Sequence, residues 1–484
     1  MINMAYCGYV TTLKNVRPHP NADRMKLADC FGNTVCVGLD ANEGDVIVYF
    51  PTDGQLSEEY CAQHDLVRRK DENGNPAGGY LEPGKRNIRA IKLRGEKSDG
   101  ITMPLESLAY TGVNLSTLTV GTPITVVNGH EICCKYIPRS NVKTRVREGN
   151  RTRKHKDPIA PLFKEHADTE QLAYNLAAFK PGDEIEITLK IHGTSQRTAN
   201  LPVLVGYKRT LWDKITRKPG TPIYEWGGVS GTRRVVLDNY EGGFYGSNAF
   251  REEHSKFFEG KLWKGETVYY EVAGFTHTGA PIMSICDNKK LNDKEFIKQY
   301  GKETVFSYGC EPNGLVGDEL LKVEVNSEKY DEARLIMRPQ SRIFVYRMTM
   351  TNEDGEVVEY TPDFMRYRCE QMGAECVPVF YRGFIEAVER EDGTTNYRLI
   401  GKNALDICDG ESAGSVVQTM AEMFYDGTDP IGKTHVREGV VVRIINRPKF
   451  TAYKHKNFSF KVLEGIAKAD AEAPDMEEAQ EVVE

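Results

Sequence analysis

The segment EIEITLKIHGTS, residues 184–195, decides how the chain folds around its candidate site. Its first seven residues alternate strictly between polar and apolar side chains, the pattern of a β-strand with one buried face. The apolar residues would face the core, and Lys190 would end the strand on the opposite face. Gly193 permits a tight turn in which backbone amides can approach a phosphate. The segment therefore predicts a strand that delivers a lysine to a glycine turn.

Strand patterns recur along the rest of the chain, at VLVGYKR (203–209), ETVYYEV (266–272), RIFVYRMTM (342–350), EGVVVRII (438–445) and FSFKVLEG (458–465). Helical patterns separate them at 293–300, 363–373 and 415–425. A further helix is predicted within 161–183, with Asp168 as its N-cap and Leu172, Leu176 and Phe179 as its apolar stripe. Strand runs with interspersed helices, but without regular alternation of the two, favour an α+β fold with antiparallel sheets.

Residues 1–125 are predicted to form a separate module. Short strand patterns divided by turn-rich stretches are typical of a small β-barrel. The loop RPHPNADRMKLADC (17–30) resembles the opening hairpin of OB-fold nucleic-acid modules. Arg86, Arg89, Lys92 and Arg94 are predicted on alternating strand positions, where they could hold a phosphate backbone. The alternative is a barrel that only packs against its neighbour.

The composition is ordinary for a soluble globular protein, with 40% hydrophobic and 27% charged residues in a chain of 484. This length suggests roughly two to four domains. No apolar run approaches the roughly 20 residues of a membrane span, and the N-terminal MINMAYCGYV lacks the pattern of a secretory signal. The 11 cysteines are scattered without a CxxC pair, which favours reduced thiols in the cytoplasm over disulfides or a zinc site.

The net charge of -7 conceals a segregation of charge along the chain. Residues 139–156 contain eight Lys or Arg and one acid, and seven acids without a base follow Lys468. We interpret 126–157 as a basic linker, which is either simply solvated or follows a phosphate backbone. Residues 466–484 are predicted to be an acidic disordered tail.

A lysine before a glycine, two separated carboxylates and a closing lysine pair form a set of groups suited to attaching AMP to a lysine. The lysine reacts only as the free amine, and with an ordinary pKa of about 10.4 only about one in a thousand is neutral near pH 7.4. Lowering that pKa by about three units costs roughly 4 kcal/mol. Partial burial and nearby cations (Lys454, Lys456 and a bound Mg²⁺) are expected to lower the pKa of Lys190. Glu438 is a candidate oxygen ligand for the metal.

These motifs, in this order, resemble those of the ATP-dependent RNA ligases of the covalent nucleotidyltransferase superfamily, specifically the RNA ligase 2-like group. KIHGT is similar to that group's lysine motif, with His192 in the third position, where DNA ligases and capping enzymes usually carry Asp. The resemblance covers residues 160–465, and the N-terminal barrel looks like that of a branch with an OB module ahead of the catalytic domain. It implies an antiparallel-sheet nucleotidyltransferase domain over 158–465, with ATP and Mg²⁺ or Mn²⁺ as cofactors.

The resemblance also implies a role for each matched residue. The expected catalytic residues are Lys190, Lys454 and Lys456, and the expected ATP-binding residues are His192, Gly193, Arg209, Glu271, Tyr346 and Glu438, the last also a metal ligand. Glu271 of YYEVAG would contact the ribose hydroxyls, and Tyr346 of FVYRMT would stack on adenine. Arg209 of GYKRT lies close to the spacing of the family's ribose-contacting arginine, but Arg233 and Arg234 compete with it as ligands of the phosphates or the RNA.

Three residues depart from the family pattern. Ser195 stands where the group often has Asn, which puts a hydrogen bond to the phosphates in doubt. Arg347 replaces an acid in the strand of Tyr346, which puts a metal or sugar contact in doubt. Arg443 replaces a lysine, which preserves charge but changes geometry. The segment 313–342 looks like an insertion without an assigned role.

GTDPIGKT (427–434) satisfies the P-loop expression G-x-x-x-x-G-K-[ST]. A true P-loop follows a strand and opens a helix whose N-terminus faces the phosphates. This segment follows a helical pattern and leads into the strand GVVVRII. We therefore interpret it as a chance match.

The function that the resemblance implies is the ATP-dependent joining of RNA 3′-hydroxyl and 5′-phosphate ends in RNA repair, through lysyl-AMP and an adenylylated 5′-end. The branch implies ends held in a nicked duplex, and we expect a cytoplasmic monomer without membrane association. DNA ligases and capping enzymes resemble a different layout, with an OB domain after the last lysine motif, whereas only 28 residues follow Lys456. The alternatives are a DNA or mixed RNA/DNA nick ligase and a non-catalytic end-binding protein with a degenerate nucleotidyltransferase domain.

Overall fold

A computed structural model describes residues 6–136, 157–166, 169–216, 220–237, 240–241, 245, 247–313, 339–401 and 407–469. Three parts of the sequence interpretation lie outside these residues: the basic stretch 139–156, the tail beyond residue 469 and most of the segment 313–342. The ten cysteines whose side chains the structure describes are free thiols. In the same ranges, no helix is long and apolar enough to span a bilayer.

The strands of the N-terminal part are β1 Gly8–Thr12, β2 Lys14–Pro18, β3 Lys26–Cys30, β4 Asn33–Val37, β5 Val46–Phe50, β6 Gly54–Leu56, β7 Arg68–Lys70, β8 Pro76–Gly78, β9 Ala90–Leu93, β10 Glu96–Asp99, β11 Ile101–Pro104, β12 Pro123–Ile124, β13 Val126–Val127, β14 His130–Glu131 and β15 Cys133–Lys135. Those that follow are β16 Glu170–Gln171, β17 Glu184–Leu189, β18 Thr194–Lys208, β19 Thr221–Gly231, β20 Val236–Leu237, β21 Glu266–Gly274, β22 Cys286–Asp287, β23 Glu303–Thr304, β24 Ser341–Thr351, β25 Val357–Glu359, β26 Val379–Glu389, β27 Thr395–Gly401, β28 Ile407–Gly410, β29 Gly439–Ile444 and β30 Thr451–Lys456. The α-helices are α1 Glu58–Gln63, α2 Leu211–Thr216, α3 Ala249–Phe257, α4 Lys294–Tyr300, α5 Pro362–Met372, α6 Ala413–Phe424 and α7 Phe458–Ala469.

The chain divides into two compact units that are not contiguous in sequence. Of the described residues, one unit comprises those within 6–136, 286–298 and 457–469, and the other comprises those within 157–285 and 299–456. The predicted domain boundaries at 125, 157 and 465 remain predictions. Apart from the short parallel pair β16–β30, the strand pairs of the two units that the structure describes are antiparallel, as the α+β prediction requires.

The first unit consists of small sheets around one apolar core. The strand orders are β11-β5-β1-β12, β2-β3-β4, β9-β10, β13-β14, β6-β15 and β7-β8. The core includes Val10, Val48, Phe50 and Tyr60. Among the described strands these sheets stay separate, so their hydrogen bonds do not close a single barrel, and the OB-like assignment remains a prediction.

One predicted strand of this unit is a helix in the structure. The sequence FSFKVLEG has the pattern of a strand, but it forms the start of α7. Asn457 explains the difference, because its Oδ1 accepts the N–H groups of Ser459 at 2.7 Å and Phe460 at 3.3 Å. An asparagine that satisfies two of the first free amides is a helix N-cap. The Phe-x-Phe alternation is therefore the first turn of a helix, with Phe460 and Leu463 buried.

The four cationic residues predicted on alternating strand positions, Arg86, Arg89, Lys92 and Arg94, do not lie along a single strand. Arg86 and Arg94 have φ angles of 48° and 46° and therefore lie in turns. Only Lys92 lies within β9, and its ammonium forms an ion pair with Asp293. The expectation that alternating positions of one strand present these cations is therefore wrong.

The second unit contains two large sheets. One has seven strands in the order β16-β30-β29-β17-β26-β27-β28. In β17 the predicted alternation buries Ile185 and Ile187, and the latter lies opposite Val442 of β29. Helix α6 packs on the same core, and it begins with a reciprocal capping box between Ser412 and Ser415. This packing fixes the end of β17, where Lys190 follows.

The other sheet has six strands in the order β20-β19-β18-β21-β24-β25. Its longest strand, β18, has 15 residues and pairs with β19 along most of that length. The VLVGYKR pattern marks only the second half of this strand. Residues 190–193 are the turn that joins β17 of the seven-stranded sheet to β18 of this one.

The helix predicted within 161–183 is also corrected. Residue 168, its proposed N-cap, lies outside the described residues. Residues 170–171 extend alongside β30, and only two short 3-10 turns follow, Leu172–Tyr174 and Leu176–Ala178. Leu172 and Phe179 still enter the core of the seven-stranded sheet. Because leucines spaced for an α-helix also suit two successive turns, the apolar pattern alone could not distinguish them.

Candidate active site

The turn after β17 is held by three backbone constraints. The N–H of Lys190 donates to the carbonyl of Gly439 at 3.0 Å. The N–H of His192 donates to the hydroxyl oxygen of Tyr308 at 2.6 Å. A Cβ at Gly193 would lie 2.5 Å from the carbonyl oxygen of Val272. Only glycine therefore lets β18 approach β21 this closely.

The buried carboxylate of Glu438 lies next to the two lysines and the histidine of the site. Glu438 is 2% exposed, and its Oε1 lies 2.8 Å from Nζ of Lys190. The same oxygen lies 3.6 Å from Nζ of Lys456, and Oε2 lies 3.7 Å from Nδ1 of His192. The structure thus brings together four of the residues predicted from the sequence.

The charge state of Lys190 differs from the expected one. Burial lowers the pKa of this ammonium, and so does Lys456, as the sequence interpretation anticipated. However, the carboxylates of Glu438 and Glu271 outweigh these contributions and raise the pKa above its ordinary value of 10.5. In this arrangement the lysine is a cation held by its carboxylate partner.

The lysine pair comes from strand β30. Lys456 lies opposite Gly439 and Lys454 lies opposite Val441, so the two lysines project on the same side of β30. Lys456 is buried beside Glu438, and Lys454 is partly exposed. Gly439 has a φ of 149°, and a Cβ there would lie 2.1 Å from the carbonyl of His455. The glycine of EGVVVR therefore permits the close pairing that brings Lys456 to the carboxylate.

The six-stranded sheet supplies the other side of the site. Ser195 of β18 lies opposite Glu271 of β21, which in turn lies opposite Phe344 of β24. Tyr346 is the extra residue of a β-bulge, since Val345 and Arg347 pair with consecutive residues of β21. Bulges commonly re-aim a side chain beside a functional site. Here the hydroxyl of Tyr346 lies 3.3 Å from Oγ of Ser195.

Arg251 of helix α3 supports the start of β18, although no sequence pattern singled it out. Its side chain is fully buried. Nη2 donates to Oγ1 of Thr194 at 2.6 Å, and Nη1 donates to the carbonyl of Ser195 at 3.1 Å. The guanidinium therefore fixes the backbone directly after the lysine motif. An arginine within a helical pattern carries no local signal of this role.

Arg209 lies at the far end of β18 from Lys190, and its role as a ribose contact stays a prediction. It follows the last residue of β18, whereas the motif precedes the first. At about 3.3 Å per residue, the strand separates the two by roughly 45 Å of extended chain. Nearer the motif on the same strand lies Arg197, whose Nε donates to the carbonyl of Thr232 at 2.9 Å. Burial lowers the pKa of Arg197 to about 10.

The two arginines that depart from the family pattern have structural partners. Arg347 donates from Nε to both carboxylate oxygens of Glu359 at 3.0 Å, and its Nη1 lies 2.9 Å from Nδ1 of His166. Arg443 donates from Nη2 to the carbonyl of Tyr360 at 3.0 Å. These contacts connect strands and loops to one another, which indicates a structural role for both arginines.

The segment 427–434 leads into β29, and none of the α-helices of the described residues begins at it. The P-loop interpretation is therefore excluded by its structural context. No cluster of three or more His, Cys, Asp or Glu suited to a metal occurs among the residues that the structure describes. A metal at this site would take one oxygen from Glu438 and its other ligands from phosphate and water, which is the usual manner of Mg²⁺.

No protein-family model matches the chain, and no curated protein matches it significantly. Among solved structures, a lysine-to-methionine mutant of Naegleria gruberi RNA ligase with AMP and Mn matches with a TM-score of 0.50 and 14% identity, over 94% of this chain and 97% of that one. A lysine-to-alanine mutant of the same ligase with ATP and Mn matches with a TM-score of 0.49 and 14% identity, over 95% and 98% of the two chains. The protein therefore has the fold of Naegleria gruberi RNA ligase.

Proposed function

We propose that the protein is an ATP-dependent RNA ligase that joins a 3′-hydroxyl to a 5′-phosphate through lysyl-AMP. The observation that carries the proposal is the group formed by Lys190, Glu438 and Lys456 where two antiparallel sheets meet. The fold shared with a ligase that was solved with AMP and Mn supports it.

In the first step, Lys190 loses a proton and its Nζ attacks the α-phosphate of ATP. A P–N bond forms, the P–O bond to the β-phosphate breaks, and pyrophosphate leaves. Glu438 is the carboxylate nearest to Nζ, at 2.8 Å, and therefore the first candidate to take up the proton. Lys454 and Lys456 would neutralise the phosphates, which places positive charge where the transition state develops negative charge.

The remaining site residues would orient the nucleotide. Tyr346, which is the extra residue of the bulge in β24, would stack on the adenine. Glu271 lies across from Ser195 at the start of β18 and would accept hydrogen bonds from the ribose hydroxyls. Gly193 lets β18 approach β21 closely, and the backbone amides of its turn would reach the phosphates, while His192 lies beside Glu438.

A divalent cation fits this site, because Oε2 of Glu438 is a buried oxygen with no hydrogen-bond partner in the described residues. Glu438 would hold Mg²⁺ or Mn²⁺, which would supply positive charge to the triphosphate. Such charge would also compete with Lys190 for the carboxylate. This competition gives a physical reason for the nucleophile to lose its proton only when substrate is present.

In the second step an oxygen of the RNA 5′-phosphate attacks the phosphorus of lysyl-AMP. A P–O–P linkage forms, the P–N bond breaks, and the amine of Lys190 leaves and takes up a proton, so the RNA carries an adenylylated 5′-end. In the third step a 3′-hydroxyl attacks the activated phosphate, forms the phosphodiester and releases AMP. We propose duplex-held ends at a nick as the substrate, with the N-terminal module, residues 1–125, as an OB-like RNA-binding element. DNA or mixed nicks are the alternative substrates.

Incubation with α-labelled ATP and Mg²⁺ tests the proposal. We expect a covalent protein–AMP adduct that survives denaturing electrophoresis, is hydrolysed by acid as a P–N bond is, and is abolished by Lys190→Ala, with mass spectrometry locating AMP on Lys190. The absence of an adduct would favour a non-catalytic end-binding protein, and preference for GTP would favour a capping-type enzyme. Labelled nicks that differ only in the sugar at each end then separate RNA from DNA substrates.

A further inference from the structure

The loop of residues 427–437 contains buried polar groups that the proposed reaction does not use. Asp429 and His435 are both 0% exposed. Oδ1 of Asp429 accepts the N–H groups of Ile431 and Gly432, each at 2.8 Å. The N–H of Asp429 donates to the carbonyl of His435 at 2.9 Å. The loop is thus a hydrogen-bonded turn that presents His435 from a fixed backbone.

His435 is a neutral imidazole with a defined proton position. Burial lowers its pKa, although Asp429 and the bond to Val436 act in the opposite sense. Nδ1 lies 3.1 Å from the carbonyl oxygen of Val436, which can only accept, so the proton is assigned to Nδ1. A Cβ at Gly432 would lie 2.2 Å from Nε2. The second glycine of the P-loop-like match therefore makes room for this ring.

Two aromatic rings connect His435 to the lysine motif. Tyr308 and Phe306 pack edge-on against the imidazole with centroid distances of 4.8 Å and 5.2 Å. Phe306 also packs edge-on against the ring of His192 at 4.6 Å. The hydroxyl of Tyr308 accepts the N–H of His192. His192 is therefore held by its ring and by its backbone, through two residues that both contact His435.

We propose that Tyr308, Phe306 and His435 are positioning residues that hold the turn 190–193 in the geometry that adenylyl transfer requires. The inference rests on the proposed function. The loop that carries His435 ends directly before Glu438, so one rigid segment sets both the turn and the carboxylate partner of Lys190. Displacements of about 1 Å at a reacting group cost up to roughly a hundredfold in rate.

The test compares two single-hydroxyl deletions. Tyr308→Phe removes the acceptor of the His192 amide and leaves the ring contacts. Tyr360→Phe is the matched control, since its buried hydroxyl donates to Oε1 of Glu266 at 3.0 Å within the same unit. Single-turnover formation of protein–AMP at saturating ATP is measured for both, together with KM for ATP and the thermal midpoint. A peptide covering 190–193 is followed by hydrogen–deuterium exchange.

Tyr308→Phe is expected to slow adenylylation about tenfold, the loss of one hydrogen bond, with KM unchanged and faster exchange at the 190–193 peptide. Tyr360→Phe is expected to change the thermal midpoint and leave the rate unchanged. His435→Phe should also slow the reaction, and His435→Asn should recover part of the rate because an amide N–H can replace the bond to Val436.

The outcomes separate this inference from the proposed function. If wild-type protein forms no adduct, the proposed function fails and the inference fails with it. If wild-type protein forms the adduct and Tyr308→Phe forms it at the same rate, only the inference is overturned. A rate loss in Tyr308→Phe that the fall in folded fraction fully accounts for also overturns it, because the role would then be structural.

Discussion

Nζ of Lys190 lies 2.8 Å from Oε1 of Glu438, so the nucleophile of the proposed reaction is a partly exposed lysine paired with a buried carboxylate. The pair has a cost for reactivity. Burial and Lys456 lower the pKa of Lys190, but the two carboxylates near it raise the pKa more. The group that anchors the lysine is thus also the group that keeps it protonated.

Adenylylation should therefore accelerate as pH rises. Below the raised pKa of Lys190, the free-amine fraction grows about tenfold per pH unit. Glu438→Gln removes the strongest contribution that raises this pKa, and burial and Lys456 remain to lower it. The pH at which kcat/KM for ATP levels off should fall in the variant, whatever its maximal rate. Profiles of the two proteins that level off at the same pH would contradict the assignment.

The same ion pair predicts a pH-dependent stability difference. Because the pKa of Lys190 is higher in the folded chain than its ordinary value of 10.5, protonation stabilises the fold fully below that value. The contribution is lost as pH rises through the raised pKa. Lys190→Met should thus be less stable than wild-type protein at neutral pH, and the difference in urea midpoint should shrink under alkaline conditions. A constant difference over that range would exclude Lys190 as its source.

The position of Arg209 distinguishes the structure from the family-based expectation. Arg209→Ala should leave KM for ATP unchanged, because β18 separates this residue from the lysine motif by most of its 15 residues. Tyr346→Ala should raise KM, since losing one base–aromatic stack costs about 1–3 kcal/mol. Adenylylation kinetics of the two variants at graded ATP provide the comparison. A raised KM for Arg209→Ala would restore the ribose-contact assignment.

Gly193→Ala tests the close approach of β18 to β21. The added Cβ would lie 2.5 Å from the carbonyl oxygen of Val272, a backbone atom that cannot rotate away. Overpacking of this kind costs about 1–3 kcal/mol, which urea denaturation would measure. Gly206→Ala is the matched control, because a Cβ there meets nothing within 4 Å. Equal stabilities of the two variants would show that the strand pair can yield.

Local patterns were sufficient where one face of a strand is buried. The alternation in EIEITLK correctly predicted β17, and the helical patterns at 293–300, 363–373 and 415–425 correctly predicted α4, α5 and α6. The motifs that meet at Glu438 were found in the sequence because each carries a charged residue beside a glycine or at a strand end. In these cases the residue that would carry the chemistry lies within the local pattern that predicts the strand or the turn.

Long-range placement could not be predicted in the same way. Tyr308, His435 and Arg251 support the lysine motif although they lie 116, 243 and 59 residues after His192, on loops and a helix whose sequences carry no local signal of this role. Arg209 matched the family's spacing along the sequence. A continuous strand, however, separates residues in space in proportion to their separation in sequence. The Phe-x-Phe spacing at the start of α7 is also typical of a strand. The local signal for a helix is the single N-cap residue Asn457 that precedes it.

The first unit combines the N-terminal strands with helix α7, and this arrangement predicts how the protein responds to truncation. Residues 457–469 belong to this unit: Lys461 forms an ion pair with Asp99 at 2.5 Å, and Nζ of Lys97 lies 5.4 Å from the ring of Phe458. Removal of residues 1–125 should therefore expose the apolar face of α7, including Leu463, which is 0% exposed in the intact chain. We expect the truncated protein to self-associate, and size-exclusion chromatography would detect this. Substituting Phe460 and Leu463 with Ser in the truncated chain should restore a monomer, whereas a truncated protein that is monomeric without these changes would show that α7 does not depend on the N-terminal strands.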